Sequence, residues 1–188
     1  FRPLNRCTVK RPTAIGDVPD KVRRLARKRW KSCLDAWSGF NQMKATEKAS
    51  RYLQIITSKG LRQWVVMPFG VANGPGYFQE MMLDLYGGHS NKLPSLLANA
   101  VVEQEAFLDV FIDDIQLGTG DALDTEAWLV DQAETNETDG FTQHLDALVR
   151  ILERARTAKL RFKLDKCNFC QWSIETLAMA VGCGVLQA

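Results

Sequence analysis

Residues 107–117 read Phe107-Leu108-Asp109-Val110-Phe111-Ile112-Asp113-Asp114-Ile115-Gln116-Leu117. Two runs rich in strand formers flank an Asp-Asp pair, so the segment predicts a hairpin with both acids at its tip. Adjacent carboxylates repel, and one of them is pushed up in pKa unless a cation sits between them. Hard oxygen donors select Mg2+ or Mn2+, and a third carboxylate is then expected from a neighbouring strand end. Asp35, which closes a short strand-like run at 32–34, is the candidate. Three acids on adjoining strand ends can hold two cations about 4 Å apart, the arrangement for in-line phosphoryl transfer. In an arbitrary protein an Asp-Asp pair is more often a solvated turn. The rest of the chain has to decide.

Working outward, 141–159 is the strongest helical pattern, with Leu145, Leu148, Leu152 and Ala155 on one stripe. Residues 77–86, with Phe78, Met81, Met82 and Leu85 apolar, form a second helix that Gly87-Gly88 stops. Pro68-Phe69-Gly70 and Asn73-Gly74-Pro75-Gly76 break the chain before it. Residues 51–56 and 63–67 read as paired strands around Thr57-Ser58-Lys59-Gly60. Residues 20–31 fit a poorly amphipathic, basic helix with Pro19 in its first turn, and 2–12 an extended, turn-rich entry. A loop with a short helix within 94–102 is expected for 88–105, and an acidic excursion with a helical turn near Trp128 for 120–140. Short strands at 160–164, 170–174 and 176–181 close the chain. Hairpins and helices alternating irregularly favour an α+β layer structure over a doubly wound parallel sheet.

The 188 residues are 46% apolar and 24% charged, which suits one domain or two small lobes and excludes a disordered tail, a collagen-like fibre and a small disulfide scaffold. Five cysteines, an odd count without secreted-framework spacing, point to a reducing, intracellular compartment. No apolar run approaches the roughly 18 residues of a membrane span. The chain opens at Phe1 without a Met, as part of a longer or processed protein does. Its charge is divided: residues 1–67 hold 16 Lys/Arg against 4 Asp/Glu, and residues 68–144 hold 1 against 14. A basic front suits a polyanion partner, and an acidic middle suits metal ions or plain solvation.

Five blocks then occur in one order: FRPLN at 1–5, DAWSGFNQM at 35–43, MPFGVANGPGYFQ at 67–79, FIDD at 111–114 and HLDALVRILERARTAKLRFKLDKCNF at 144–169. Together they resemble the reverse transcriptase domain of gypsy-type LTR retrotransposons and their retroviral relatives. The likeness implies a polymerase palm, an antiparallel sheet with helices on one face, at about 10–42 and 74–188. It further implies a partial fingers lobe at about 1–9 and 43–73 and an acidic insertion at about 119–140, with no thumb or RNase H in this stretch. The implied activity is RNA-dependent DNA synthesis: dNTP addition to a primer 3′-OH on an RNA or DNA template.

By the same resemblance, Asp35, Asp113 and Asp114 hold two Mg2+ or Mn2+ ions. Ser38, Gly39 and Phe40 lie beneath the incoming nucleotide, with Phe40 as the steric gate against a ribose 2′-OH. Phe69 and Gly70 line the nucleotide pocket, Gly74 and Pro75 open the helix beside the template, and Lys166 is the proton donor near the leaving pyrophosphate. Lys21, Arg23, Arg24, Arg27 and Lys28 are candidates for phosphate-backbone contact, with a solvated helix face as the plain alternative. Phe40 also reads as ordinary core, Lys166 as a solvated lysine, and His89 and His144 as surface or helix-capping residues. Cys167 and Cys170 have zinc-knuckle spacing without a second ligand pair.

The pattern departs from the family at Phe111, usually Tyr, and at Ala178 in the primer-gripping turn, usually Gly. It also carries extra residues between 79 and 107 and between 118 and 141. These departures support a second reading, a retroelement-derived, inactive module that contacts protein subunits of a larger assembly.

Overall fold

The computed structural model describes residues 1–13, 16–87, 106–121, 140–177, 179–182 and 186–187. In chain order these form α1 (Arg2–Cys7), α2 (Val18–Ala26), β1 (Lys28–Asp35), a 3-10 turn at Gly39–Gln42, α3 (Glu47–Ser50), β2 (Gln54–Thr57), β3 (Gly60–Gln63) and α4 (Gly74–Tyr86). There follow β4 (Ala106–Phe111), β5 (Asp114–Asp121), α5 (Phe141–Ala158), a 3-10 turn at Leu164–Lys166, β6 (Asn168–Gln171), β7 (Ile174–Thr176), β8 (Met179–Val181) and β9 (Leu186–Gln187). The expected helix within 94–102, the turn near Trp128, His89 and Ala178 lie outside the described residues.

The central sheet is antiparallel with strand order β4-β5-β1-β6. Side chains alternate across it, as strand geometry requires. One face carries Leu34, Val110, Ile115 and Leu117, packed on Phe78, Met82 and Tyr86 of α4 and on Ala147, Leu148, Ile151 and Ala155 of α5. The other face carries Cys33 and Phe107, covered by Val22, Leu25 and Ala26 of α2 and by Ile174 and Val181 of the β7–β8 hairpin. The expected helices on one face are α4 and α5; α2 is an additional cover on the second. The β2–β3 hairpin stands apart as its own two-stranded sheet, joined to the rest through the Lys44–Val66 bridge and the Met67 amide on Met43 O (2.9 Å).

Several local expectations are corrected. Residues 2–7 are helical rather than extended, because Pro3 falls in the first turn, where its missing N–H costs nothing. The basic helix ends at Ala26, and residues from Lys28 onward belong to an eight-residue strand. Its alternate side chains Arg29 and Lys31 are buried, and Lys31 Nζ reaches the carbonyls of Lys28 and Trp172. The segment 160–164 makes only the Ala36–Phe162 bridge before its 3-10 turn, and the strand expected at 170–174 splits into β6 and β7. The β2–β3 strands are shorter and closer to the turn than 51–56 and 63–67, with Thr57 opposite Gly60.

The buried stripe of α5 is also rotated from the expected one. Leu148 and Ala155 are buried, whereas Leu145 and Leu152 are exposed, and the fully buried positions are His144 and Ile151. His144 is neither a surface group nor a cap. Thr119 Oγ1 donates to Gly140 O (2.8 Å) and so accepts from His144 Nδ1 (2.9 Å). His144 Nε2 then accepts from Ser32 Oγ (2.7 Å), which itself accepts the Cys170 amide (2.9 Å) at the bulge between β1 and β6. One neutral tautomer satisfies every group.

Burial drives the His144 pKa down to about 4. The unfolded chain takes up this proton near pH 6.5 and the folded chain refuses it, so stability is complete above about 6.5 and falls toward pH 4, by about 3 kcal/mol. Urea titrations of wild type and His144→Gln across that range measure the effect. The wild type should lose stability more steeply on acidification; parallel curves would show that His144 is not the group responsible.

Candidate active site

The sheet brings the three acids together through its pairing register. β1 and β5 are antiparallel with Asp35 opposite Asp114 and Leu34 opposite Ile115. Directly opposed residues sit about 4.5–5.5 Å apart at Cα. Phe111 opposite Asp114 makes the β4–β5 connection a two-residue turn, Ile112–Asp113. The Ala36 amide donates to Asp113 O (2.9 Å), which ties the turn to the end of β1. The Lys163 amide donates to Asp35 O (2.9 Å), and Lys166 Nζ lies 3.6 Å from Asp35 Oδ2. Asp113 is exposed, and Asp35 and Asp114 are half-buried.

The electrostatics of this cluster are strained. Burial raises the Asp114 carboxyl to about 6, helped by the neighbouring charges of Asp113 and Asp35 and opposed by Lys166. Although Asp113 is exposed as a residue, partial desolvation of its carboxyl raises it as well, followed by Asp35, against its own backbone hydrogen bond and Lys166. Hard carboxylate oxygens pushed toward neutrality by burial and then by one another form a donor set suited to Mg2+ or Mn2+. Among the described residues no three His, Cys, Asp or Glu side chains are closed into a ready-made ligand set. Lys166 supplies a cation to Asp35, 3.6 Å from its Oδ2.

Asp114 retains its proton to about pH 6 when folded and releases it near 3.8 when unfolded. Its contribution is therefore favourable at low pH and lost as pH rises through 6, opposite in sign to that of His144. Asp114→Asn is accordingly expected to stabilise the metal-free chain at pH 7.5 by about 1–2 kcal/mol, discounted for partial exposure. Thermal melts with EDTA check this; an unchanged or lower midpoint would contradict it.

Beside the acids, Ser38 adopts a left-handed backbone (φ 49, ψ 49) and turns the chain into the 3-10 segment Gly39–Gln42. Gly39 is buried against Phe78, whose Cζ would lie 2.7 Å from a Cβ at that position. Phe40 is half-buried, edge-on to Phe78 (5.6 Å) and tilted against the exposed Phe69 (5.2 Å). The structure thus brings Phe40 and Phe69 together, with Ser38 and Gly39 leading into Phe40 shortly after Asp35, and makes Phe40 a core contact of Phe78. Gly70 (φ +85) carries the loop back toward α4, which Gly74 and Pro75 open.

Of the basic candidates, Lys21 is not available to a ligand. It is buried and ion-paired with Asp109 (2.7 Å), with a further bond to Val110 O (3.0 Å), because α2 packs that face on β4. Arg24 lies over the Phe107 ring (5.0 Å), Arg23 and Arg27 are exposed, and Lys28 is half-buried at the start of β1. Cys167 and Cys170 are free thiols.

Two groups of residues went unnoticed in the sequence. Asn5 donates to Gly70 O (2.7 Å) and accepts from the Ala72 amide (2.9 Å), while Asn73 donates to Val9 O (2.9 Å) and accepts from the Arg11 amide (3.2 Å). These reciprocal pairs strap the N-terminal segment to the 70–73 loop. Gln79 binds the acid-bearing turn from α4, donating to Val110 O (3.1 Å) and accepting from the Ile112 amide (2.6 Å). The available signal was a lone amide on the apolar stripe with Met82 and Tyr86.

Among the described residues no helix is long and apolar enough to cross a membrane. Residues 1–181 match the family model described as reverse transcriptase (RNA-dependent DNA polymerase). The retrovirus-related Pol polyprotein from transposon 297 of Drosophila melanogaster is 24% identical over 169 residues, 90% of this chain and 13% of that polyprotein. Polyprotein P3 of Commelina yellow mottle virus is 27% identical over 183 residues, 97% of this chain and 8% of its own length. The foamy viral protease-reverse transcriptase in complex with double-stranded DNA shares the fold with a TM-score of 0.74 at 16% identity, covering 98% of this chain and 26% of that one.

The chain spans a small part of these relatives, which include both transposon and viral polyproteins. That mixture sets the kinship at a level broader than gypsy-type elements. With an α+β palm-and-fingers fold and this match along nearly its whole length, the chain belongs to the reverse transcriptase (RNA-dependent DNA polymerase) family.

Proposed function

We propose that the chain is the catalytic core of an RNA-directed DNA polymerase from a gypsy-type element, adding dNTPs to a primer 3′-OH on an RNA or DNA template. The observation that carries this reading is the register of β1 and β5, which sets Asp35 against Asp114 beside the Ile112–Asp113 turn. Residues about 10–42 and 74–188 serve as palm, and about 1–9 and 43–73 as partial fingers.

Asp35, Asp113 and Asp114 would hold two Mg2+ or Mn2+ ions, which when bound acidify the primer 3′-OH and neutralise the triphosphate. Ser38 and Gly39 form the floor beneath the nucleotide. Phe40, buttressed by Phe78 and Phe69, stands against a ribose 2′-OH. Lys166, whose ammonium lies 3.6 Å from Asp35, would give a proton to the leaving pyrophosphate. The exposed Arg23 and Arg27 are left to contact the nucleic-acid backbone. Primer extension on poly(rA)/oligo(dT) with Mg2+ tests the reading: wild type should extend above Asp113→Asn, and equal background from both would reject it.

A further inference from the structure

Ile112 occupies a conformation that its side chain disfavours. Its φ is +53, whereas Asp113 is not in the positive region, so the two-residue turn has the form that normally places glycine first. A β-branched residue there persists only where its surroundings over-determine it. The surroundings are specific. Gln79 is almost fully buried, and both ends of its amide are spent on this hairpin, on Val110 O and the Ile112 amide. Val110 O also accepts Lys21 Nζ, and the Val110 amide donates to Asp109 Oδ1 (2.7 Å). These bonds lie on the outer side of β4, where no further strand pairs among the described residues. The Ala36 amide holds the turn from its other side at Asp113 O. The neighbour of Gln79 in α4, Phe78, supports Gly39 and Phe40.

We infer that Gln79 is a positioning residue: it locks the Ile112–Asp113 turn in its left-handed form and thereby aims the Asp113 and Asp114 carboxylates. Being on the helix that also supports Phe40, it fixes the acids relative to the nucleotide floor. The kinetic part of this inference rests on the polymerase reading above; the backbone part does not.

Four full-length chains test it: wild type, Gln79→Met, Ile112→Gly and the double variant. Methionine keeps the volume and removes both hydrogen bonds, and glycine removes the need for a lock. Amide hydrogen exchange in the metal-free proteins is the first readout. Gln79→Met should speed exchange at 112–114 while leaving the ladder amides of Ser32 and Leu117 unchanged. A uniform acceleration, or none, overturns the inference. The second readout is steady-state extension: kcat should fall about 10–100-fold, as when a supporting contact to a metal site is lost, with KM for dNTP changed less than about threefold. Ile112→Gly should restore part of that loss, and losses that simply add would overturn the lock. If Gln79→Met does not fold, the wild-type Ile112 amide decides alone: it should exchange as slowly as the Leu117 amide, and free exchange refutes the proposal. Should wild type extend no better than Asp113→Asn, the polymerase reading fails, and the exchange data still judge Gln79.

Discussion

Asp113→Asn and Asp35→Asn are each expected to lower kcat for primer extension by about 10³-fold or more, the rate equivalent of losing several kcal/mol of transition-state charge stabilisation. The substitutions preserve volume, remove the negative charge and exchange one acceptor oxygen for an amide donor. Asp113 is exposed at the turn, and the bond that anchors it runs from the Ala36 amide to its main-chain oxygen, which asparagine retains. Loss of the fold is therefore not part of the expected result. Asp35→Asn additionally removes the charge facing Lys166, so the two variants should share the rate loss and differ in the behaviour of that lysine. Single-turnover kinetics with the circular dichroism of each variant separate rate from folding. Near-wild-type rates in either variant would contradict the assignment of these carboxylates.

Phe78→Ala is expected to cost about 3–5 kcal/mol of stability, the range for deleting a fully buried aromatic ring. The position is the junction of the fold and the site. Its ring has no exposed surface, fills the layer between α4 and the sheet, lies against Gly39 and meets Phe40 edge-on. Removing it leaves a cavity among Leu34, Val110 and Ile115 and takes away the support of Phe40, a further aromatic contact of about 0.5–1.5 kcal/mol. Urea unfolding monitored by tryptophan fluorescence gives the number. A loss under about 1.5 kcal/mol would mean that the layer closes over the gap and that Phe78 does not organise the pocket. The space opposite Gly39 is filled by this ring, so Gly39→Ala is excluded only while Phe78 is present.

The hairpin was legible because strand formers, a tight turn and two acids all lie within one eleven-residue window. The helices α4 and α5 were legible by length and apolar spacing, and Asp35 by the block in which it stands. What escaped the sequence depended on partners far along the chain. His144 could be ranked above the leucines of its own helix only with knowledge of Ser32, 112 residues away, and of Thr119. Lys21 reads as one more solvated cation until Asp109, 88 residues on, arrives beside it. The helix-to-strand change between Ala26 and Lys28 was hidden because Arg29 and Lys31, poor signals of burial, are covered by the packing around β1. Gln79 sits in a recognised block, but its role exists only once the turn adopts a positive φ. Local pattern chose the elements; long-range hydrogen bonding chose which faces and which charges were buried.

Anomalous diffraction from crystals grown with Mn2+ examines the metal-binding claim with the fewest intermediaries. Manganese peaks are expected within bonding reach of both Asp35 and Asp113, with the Lys166 ammonium displaced from Asp35. A map with no such peak, and the Lys166–Asp35 ion pair intact at high Mn2+, would contradict that claim.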